Sequence, residues 1–189
     1  MQAIKVLAIC GSLRKDSLNR KALQIAKQFA AAETSVEEAD LKKLALPVYD
    51  GDIEAEGIPE SVTRLKTMVE AADMLLIASP EYNRSVPGPL KNAIDWLSRG
   101  RNSLDGKVAA IFGASPGPFG TVNGQNHLRQ VLAALNVLVI PQPQVTIIRA
   151  LDAFAPDGSF KDPKTATLLK TLVERAMSLA ERLKPVGTV

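Results

Sequence analysis

Ile4-Lys5-Val6-Leu7-Ala8-Ile9-Cys10-Gly11-Ser12-Leu13-Arg14-Lys15-Asp16-Ser17-Leu18-Asn19 is the stretch that decides the fold. Ile4 to Ile9 is apolar and rich in branched side chains, is broken only by Lys5 and is stopped by Gly11, so it reads as a buried strand. The polar run Gly11 to Asp16 reads as a loop, and Ser17 is placed to cap the helix that follows. From Leu18 to Ala30 the apolar residues Ala22, Ile25, Ala26 and Phe29 recur at helical spacing. A buried strand that turns through a polar loop into an amphipathic helix is the first half of a β-α-β unit.

Outward from that unit the alternation continues. Ser35 to Ala39 reads as a weak strand, and Lys42 to Pro59 as a connection bearing Pro and Gly. Glu60 to Ala71 is a helix with Val62, Leu65 and Val69 on one face, and Met74 to Ala78 is a buried strand ended by Pro80. Pro89 opens a helix lined by Leu90, Ala93, Ile94 and Leu97. Val108 to Phe112 is the next strand, and a helix runs from about Gly124 to Leu135. Two short strand pieces, Val137 to Ile140 and Val145 to Ile148, surround Pro141 and Pro143, and a long helix closes the chain from about Pro163 to Leu183. Strands alternating with helices predict an α/β fold, a five-stranded parallel sheet with helices on both faces. The doubly wound order 2-1-3-4-5 follows, with ligands expected beyond the carboxyl ends of the first and third strands.

The composition narrows the function. The chain has 189 residues, enough for one domain spanning 1–189, and a formal net charge of +3. Lys and Arg are interleaved with Asp and Glu, and no basic run laced with aromatics marks a nucleic-acid partner. The single cysteine, Cys10, excludes an internal disulfide and any CxxC metal or redox motif. A reducing, cytoplasmic setting is the expectation. The apolar start is short, broken by Lys5 and followed by the glycine loop, unlike a signal peptide, and no segment reaches membrane-spanning length.

Three loops leave the carboxyl ends of strands one, three and four, and they carry the unusual residues. The first, Gly11 to Asn19, enters a helix N-terminus, where backbone N–H groups and the helix dipole favour anions. Ser12 and Ser17 add hydroxyls, Asn19 an amide, and Arg14 a planar charged fork suited to phosphate. An ordinary capped helix start with an exposed arginine is the alternative reading. The loop lacks both the Walker Gly-Lys-Ser/Thr and the three-glycine dinucleotide fingerprint, so one phosphate, as in FMN, suits it better than NAD. The second loop runs from Pro80 through Glu81, Tyr82, Asn83, Arg84 and Ser85 to Pro89, stiffened by proline at both ends. It can wall a flat ring or be merely a polar connection. The third, Gly113 to Thr121, is built of small residues that let a ring approach the backbone.

Gly11-Ser12-Leu13-Arg14-Lys15-Asp16-Ser17-Leu18-Asn19, Pro80-Glu81-Tyr82-Asn83, Pro87-Gly88 and Leu90-Lys91-Asn92-Ala93-Ile94-Asp95-Trp96 together resemble the NADPH-dependent FMN reductase family. This flavodoxin-like group includes quinone, azo-dye and chromate reductases. The resemblance covers nearly the whole chain. It implies that Ser12, Arg14, Ser17 and Asn19 hold the FMN phosphate. It implies further that Pro80, Glu81, Tyr82 and Asn83 border the flavin, and that Ser115 and Gly117 close its other edge. Family members usually carry Gly where Asp16 and Pro118 stand, so the Asp16 carboxylate must point away from a phosphate. Arg84 and Arg101 are candidates for contacts to the outer substrate, with Arg99 and Arg101 weighed against a solvated pair.

The implied activity is a ping-pong NAD(P)H oxidoreductase. NADPH or NADH delivers hydride and leaves, and a quinone, azo compound, free flavin or chromate-type anion then takes its place. No side chain is an obligatory acid or base and no metal is called for, because the cofactor carries the chemistry. A flavodoxin-type electron carrier is the rival, but carriers of that kind are usually acidic and lack an arginine in the phosphate loop. A regulatory flavoprotein is a third reading. His127 has no partner at ligand spacing, and Cys10 reads as inert packing. Trp96 falls outside the apolar stripe of its helix, so it either snorkels, folds into its own core or is buried by a second subunit; the last, in a homodimer or homotetramer, is the expectation.

Overall fold

The computed structural model describes residues 3–31 and 34–184. The strands are β1 (Lys5–Cys10), β2 (Ser35–Ala39), β3 (Met74–Ala78), β4 (Val108–Ala114), β5 (Leu138–Val139) and β6 (Val145–Ile147). The helices are α1 (Leu18–Ala31), α2 (Leu41–Leu44), α3 (Gly51–Glu56), α4 (Glu60–Ala71), α5 (Gly88–Leu97), α6 (Val122–Ala134) and α7 (Pro163–Leu183). The sheet is parallel in the order β2-β1-β3-β4-β5, with β6 also on β4. β5 pairs with the start of β4 (Val108 with Leu138) and β6 with its end (Phe112 with Val145). The two pieces therefore share the fifth position, interrupted where Pro141 and Pro143 remove ladder donors.

Alternate residues of the central strands enter two cores. Val6, Ala8, Met74, Leu76, Ala110 and Phe112 pack under α1 and α7. Leu7, Ile9, Leu75, Ile77, Ala109 and Ile111 face the opposite layer, with Leu65, Leu90, Ile94 and Leu128 of α4, α5 and α6. Burial on both faces is why these strands read as unbroken apolar runs.

The segment between β2 and α4 differs from the expected plain connection. Asp40 accepts from the N–H groups of Lys42 and Lys43 and caps α2, while Asp50 accepts from the N–H of Asp52 and caps α3. These helices are too short to show a period in sequence. Between them the chain lies along α5. The Trp96 Nε1–H donates to the Pro47 carbonyl at 2.8 Å, and Tyr49 meets the Trp96 ring edge-on at 5.0 Å. Asn92 donates to the same carbonyl and accepts from the Tyr49 N–H. Trp96 is fully buried by its own chain. The residue offered as the sign of a second subunit is thus covered from within, and its position off the apolar stripe is explained by this strap.

Candidate functional site

The first loop is built as a helix entry. Ser17 Oγ accepts from the Arg20 N–H at 3.2 Å, the bond of an N-cap, and Ser12 Oγ accepts from the Arg14 N–H at 3.4 Å. Both serines are buried, at 3% and 4% exposure; the Ser12 hydroxyl proton is available for a ligand, while Ser17 Oγ also lies 4.0 Å from Cys10 Sγ, where either atom can donate. The Arg14 side chain is exposed and makes no ion pair or hydrogen bond among the described residues. Asp16 is exposed to solvent. The first amides of α1 lack helical partners. A buried pair of hydroxyls, orphan amides and a free guanidinium at one helix N-terminus form a donor-rich seat that fits a phosphomonoester.

Asn19 has a different geometry from the free amide read in the sequence. Its Nδ2–H donates to the Ala114 carbonyl and its Oδ1 accepts from the Ala114 N–H, both at 2.8 Å. The side chain is a two-bond clasp between the start of α1 and the end of β4, and one Nδ2–H is left over. It ties the first loop to the third.

The second loop contains a tight two-residue turn. The N–H of Tyr82 donates to Ser85 O at 3.1 Å, and the N–H of Ser85 donates to Tyr82 O at 3.0 Å. Asn83 and Arg84 at its tip both have positive φ, 49° and 63°, the signature of a type I′ turn. The Glu81 carboxylate turns toward α6, where Oε2 accepts from the Gly124 N–H at 2.9 Å. A carboxylate at a helix N-terminus is favourable. A Cβ at Gly124 would come within 3.1 Å of the Ser85 carbonyl oxygen, so glycine lets the loop lie flat on the helix. His127 meets Ser85 Oγ at 3.0 Å and completes that docking. In the third loop, Ser115 Oγ accepts from the Gly117 N–H at 3.2 Å. The Ser115 N–H donates to Ile147 O at the end of β6, and its carbonyl accepts from the Ala150 N–H in the chain that follows.

One open cleft takes walls from all three loops: Ser12, Arg14, Ser17 and Asn19 from the first, Pro80, Glu81 and Tyr82 from the second, and Ala114 and Ser115 from the third. Asn83 and Arg84 stand at the turn beside it and Gly117 behind Ser115. Gly113 sets the spacing of the last two loops. A Cβ there would collide with the Ser79 carbonyl oxygen and Thr121 Oγ1. The flat, proline-bounded wall and the donor-rich phosphate seat together fit FMN.

Arg101 is a correction. α5 starts beside Gly11, whose absent Cβ would touch Pro87 and Leu90, and runs back along the sheet. Its last turn is at the amino edge, about 15 Å away for ten residues at helical rise. There Lys66 Nζ donates to the carbonyls of Leu97, Arg99 and Arg101, and burial pushes that amine below its ordinary pKa. Arg101 lines a shallow hollow with Glu70 and Lys107 and does not reach the cleft of its own chain. The Arg99 guanidinium lies over the Tyr49 ring, 5.2 Å from its centre. Among the described residues no group of three or more His, Cys, Asp or Glu could hold a metal ion, and no helix is long and apolar enough to cross a membrane.

The sequence matches the family model for NADPH-dependent FMN reductase over residues 4–152. It is 44% identical over 182 residues to an NAD(P)H-dependent FMN reductase of Pseudomonas aeruginosa, covering 96% of this chain and 97% of that one. It is 37% identical over 175 residues to a 2-hydroxy-1,4-benzoquinone reductase of Burkholderia, covering 92% and 94%. Among solved structures, the flavoenzyme NAD(P)H:(acceptor) oxidoreductase FerB of Paracoccus denitrificans superposes with a TM-score of 0.85 at 39% identity. That match covers 95% of this chain and 98% of the other. The shared architecture is flavodoxin-like.

Proposed function

Because the chain belongs to the NADPH-dependent FMN reductase family, we propose that the three-loop cleft is its active site and that the protein is an FMN-dependent NAD(P)H oxidoreductase acting on a small acceptor. The observation that carries this is the convergence of the loops after β1, β3 and β4 on one cleft, with a phosphate seat at one end. FMN, when bound, supplies the ring that takes hydride and passes electrons on. The residues of the chain bind and orient it. Ser12, Ser17, the α1 amides and Arg14 would hold the phosphate, and Asn19 would keep that seat at a fixed distance from the third loop. Backbone groups of Pro80 to Asn83 would border one side of the ring, and Ser115 and Gly117 the other. Glu81 is held at the α6 N-terminus, so its charge is offset next to a ring that must accept electrons.

The acceptor class we favour is a quinone, with azo compounds, free flavin and chromate-type anions as further candidates. A cytoplasmic location and a homodimer or homotetramer belong to the same proposal. Turnover of the FMN-loaded protein with NADPH, NADH and a panel of quinones tests the function. Steady reduction of a quinone is expected. An FMN-loaded protein that oxidises neither nucleotide would point to an electron carrier instead.

A further inference from the structure

We propose that Arg84 and Arg149 recognise the phosphates of the nicotinamide dinucleotide at the rim of the cleft. This rests on the reading of that cleft as the flavin and dinucleotide site. Among the described residues, five that are not glycine have positive φ: Ala45, Asn83, Arg84, Asn136 and Arg149. Asparagine tolerates this backbone because its short side chain bonds locally, and Ala45 ends α2 as its C-cap. The two arginines have no such reason. Arg84, at φ 63°, occupies the second central position of the Tyr82–Ser85 turn, where glycine fits best. Arg149, at φ 44°, follows β6.

Both turns are fixed to the cleft by backbone bonds. The Arg149 N–H donates to Gly117 O at 3.2 Å, and the next N–H, of Ala150, donates to Ser115 O at 3.0 Å. Tyr82 and Ser115 line the cleft, so the backbone of one arginine adjoins each of two walls. Both side chains are exposed, and neither has a hydrogen bond or ion pair among the described residues. The acids closest to them in sequence do not neutralise them. Glu81 is held by Gly124, and Asp152 makes no ion pair with Arg149.

Strained backbone under an unpartnered, outward-facing guanidinium lowers stability without any return inside the chain. A guanidinium fork matches phosphate oxygens, and the reductant brings a pyrophosphate and, in NADPH, a 2′-phosphate. Arg14 sits at the separate seat on α1, which leaves Arg84 and Arg149 for the second nucleotide.

The test uses FMN-loaded wild type, Arg84→Gly, Arg149→Gly and the double variant. Calorimetry measures the affinity of 2′,5′-ADP and of ADP, with the melting temperature recorded for each protein. Each glycine variant is expected to melt higher, because the strain is relieved, and to bind nucleotide about tenfold more weakly, with FMN content unchanged. Loss confined to 2′,5′-ADP assigns the contact to the 2′-phosphate, loss confined to ADP assigns it to the pyrophosphate, and equal loss for both assigns it to the 5′-phosphate that the two probes share. FMN-loaded variants that bind both nucleotides as the wild type does would overturn the inference and leave the flavin site standing. A wild type that retains no FMN would overturn both.

Discussion

Asn19→Ala separates a strut from a ligand. The side chain is 4% exposed and makes two 2.8 Å bonds to the backbone of Ala114. Alanine removes both and leaves a buried N–H and a buried carbonyl without partners. An unsatisfied buried group costs about 1–3 kcal/mol, so the pair predicts a loss of about 2–6 kcal/mol. For a chain of this size each kcal/mol moves the melting temperature by about 2–4 °C. A fall of about 4–24 °C is therefore expected in the apoprotein, before any flavin is added. FMN affinity should fall as well, because the α1 seat is no longer tied to β4. Thermal melting of the apoprotein, followed by FMN titration at a temperature where both proteins are folded, reads both effects. An apoprotein that melts like wild type while FMN binding drops tenfold would refute the clasp and make Asn19 a direct phosphate ligand.

Three further outcomes follow from the same geometry. Arg14→Ala should weaken FMN binding by about 1.5–3 kcal/mol, the range for a hydrogen bond to a charged group, with the apoprotein as stable as before because the side chain has no partner within the chain; fluorescence titration checks both. Gly113→Ala should destabilise by about 1–3 kcal/mol or more through overpacking against Ser79 and Thr121, and should spread the second and third loops, measured as a lower urea midpoint and weaker FMN binding. Burial holds the Cys10 thiol above its usual value of 9.0, although the Ser12 N–H, Arg20 and Ser17 oppose the shift. The native thiol should resist a thiol reagent at pH 8. Its stabilising contribution is full below 9.0 and is lost as pH rises above it, so stability should fall less between pH 8 and 10 in Cys10→Ala than in wild type.

What the sequence revealed and what it concealed divide along physical lines. β3, α4 and α7 have the residue limits that the pattern predicts, because each is a strand buried on both faces or a helix with a long apolar stripe. The order of the sheet followed from strand–helix alternation. Gly11 and Pro80 mark the carboxyl ends of β1 and β3 in the sequence, whereas Gly113 does not end its strand, because β4 runs on through Ala114. The long-range polar contacts were not legible. Asn19 with Ala114 spans 95 residues, Glu81 with Gly124 spans 43 and Trp96 with Pro47 spans 49, and nothing in local pattern pairs them. Arg101 was misplaced for a related reason. Its sequence distance from the second loop is short, but a ten-residue helix carries it to the other edge of the sheet. The Asn83-Arg84 turn was obscured because type I′ tips usually announce themselves with glycine at the second position.

The position of the phosphate of bound FMN distinguishes the α1 seat from every other, and a crystal structure of the FMN complex measures it. The phosphate is predicted at the N-terminus of α1, within hydrogen-bonding reach of Ser12, Ser17 and Arg14, with the ring between Pro80–Asn83 and Ser115–Gly117. A phosphate elsewhere, for example in the groove between α1 and the Phe154–Phe160 hairpin, would contradict it.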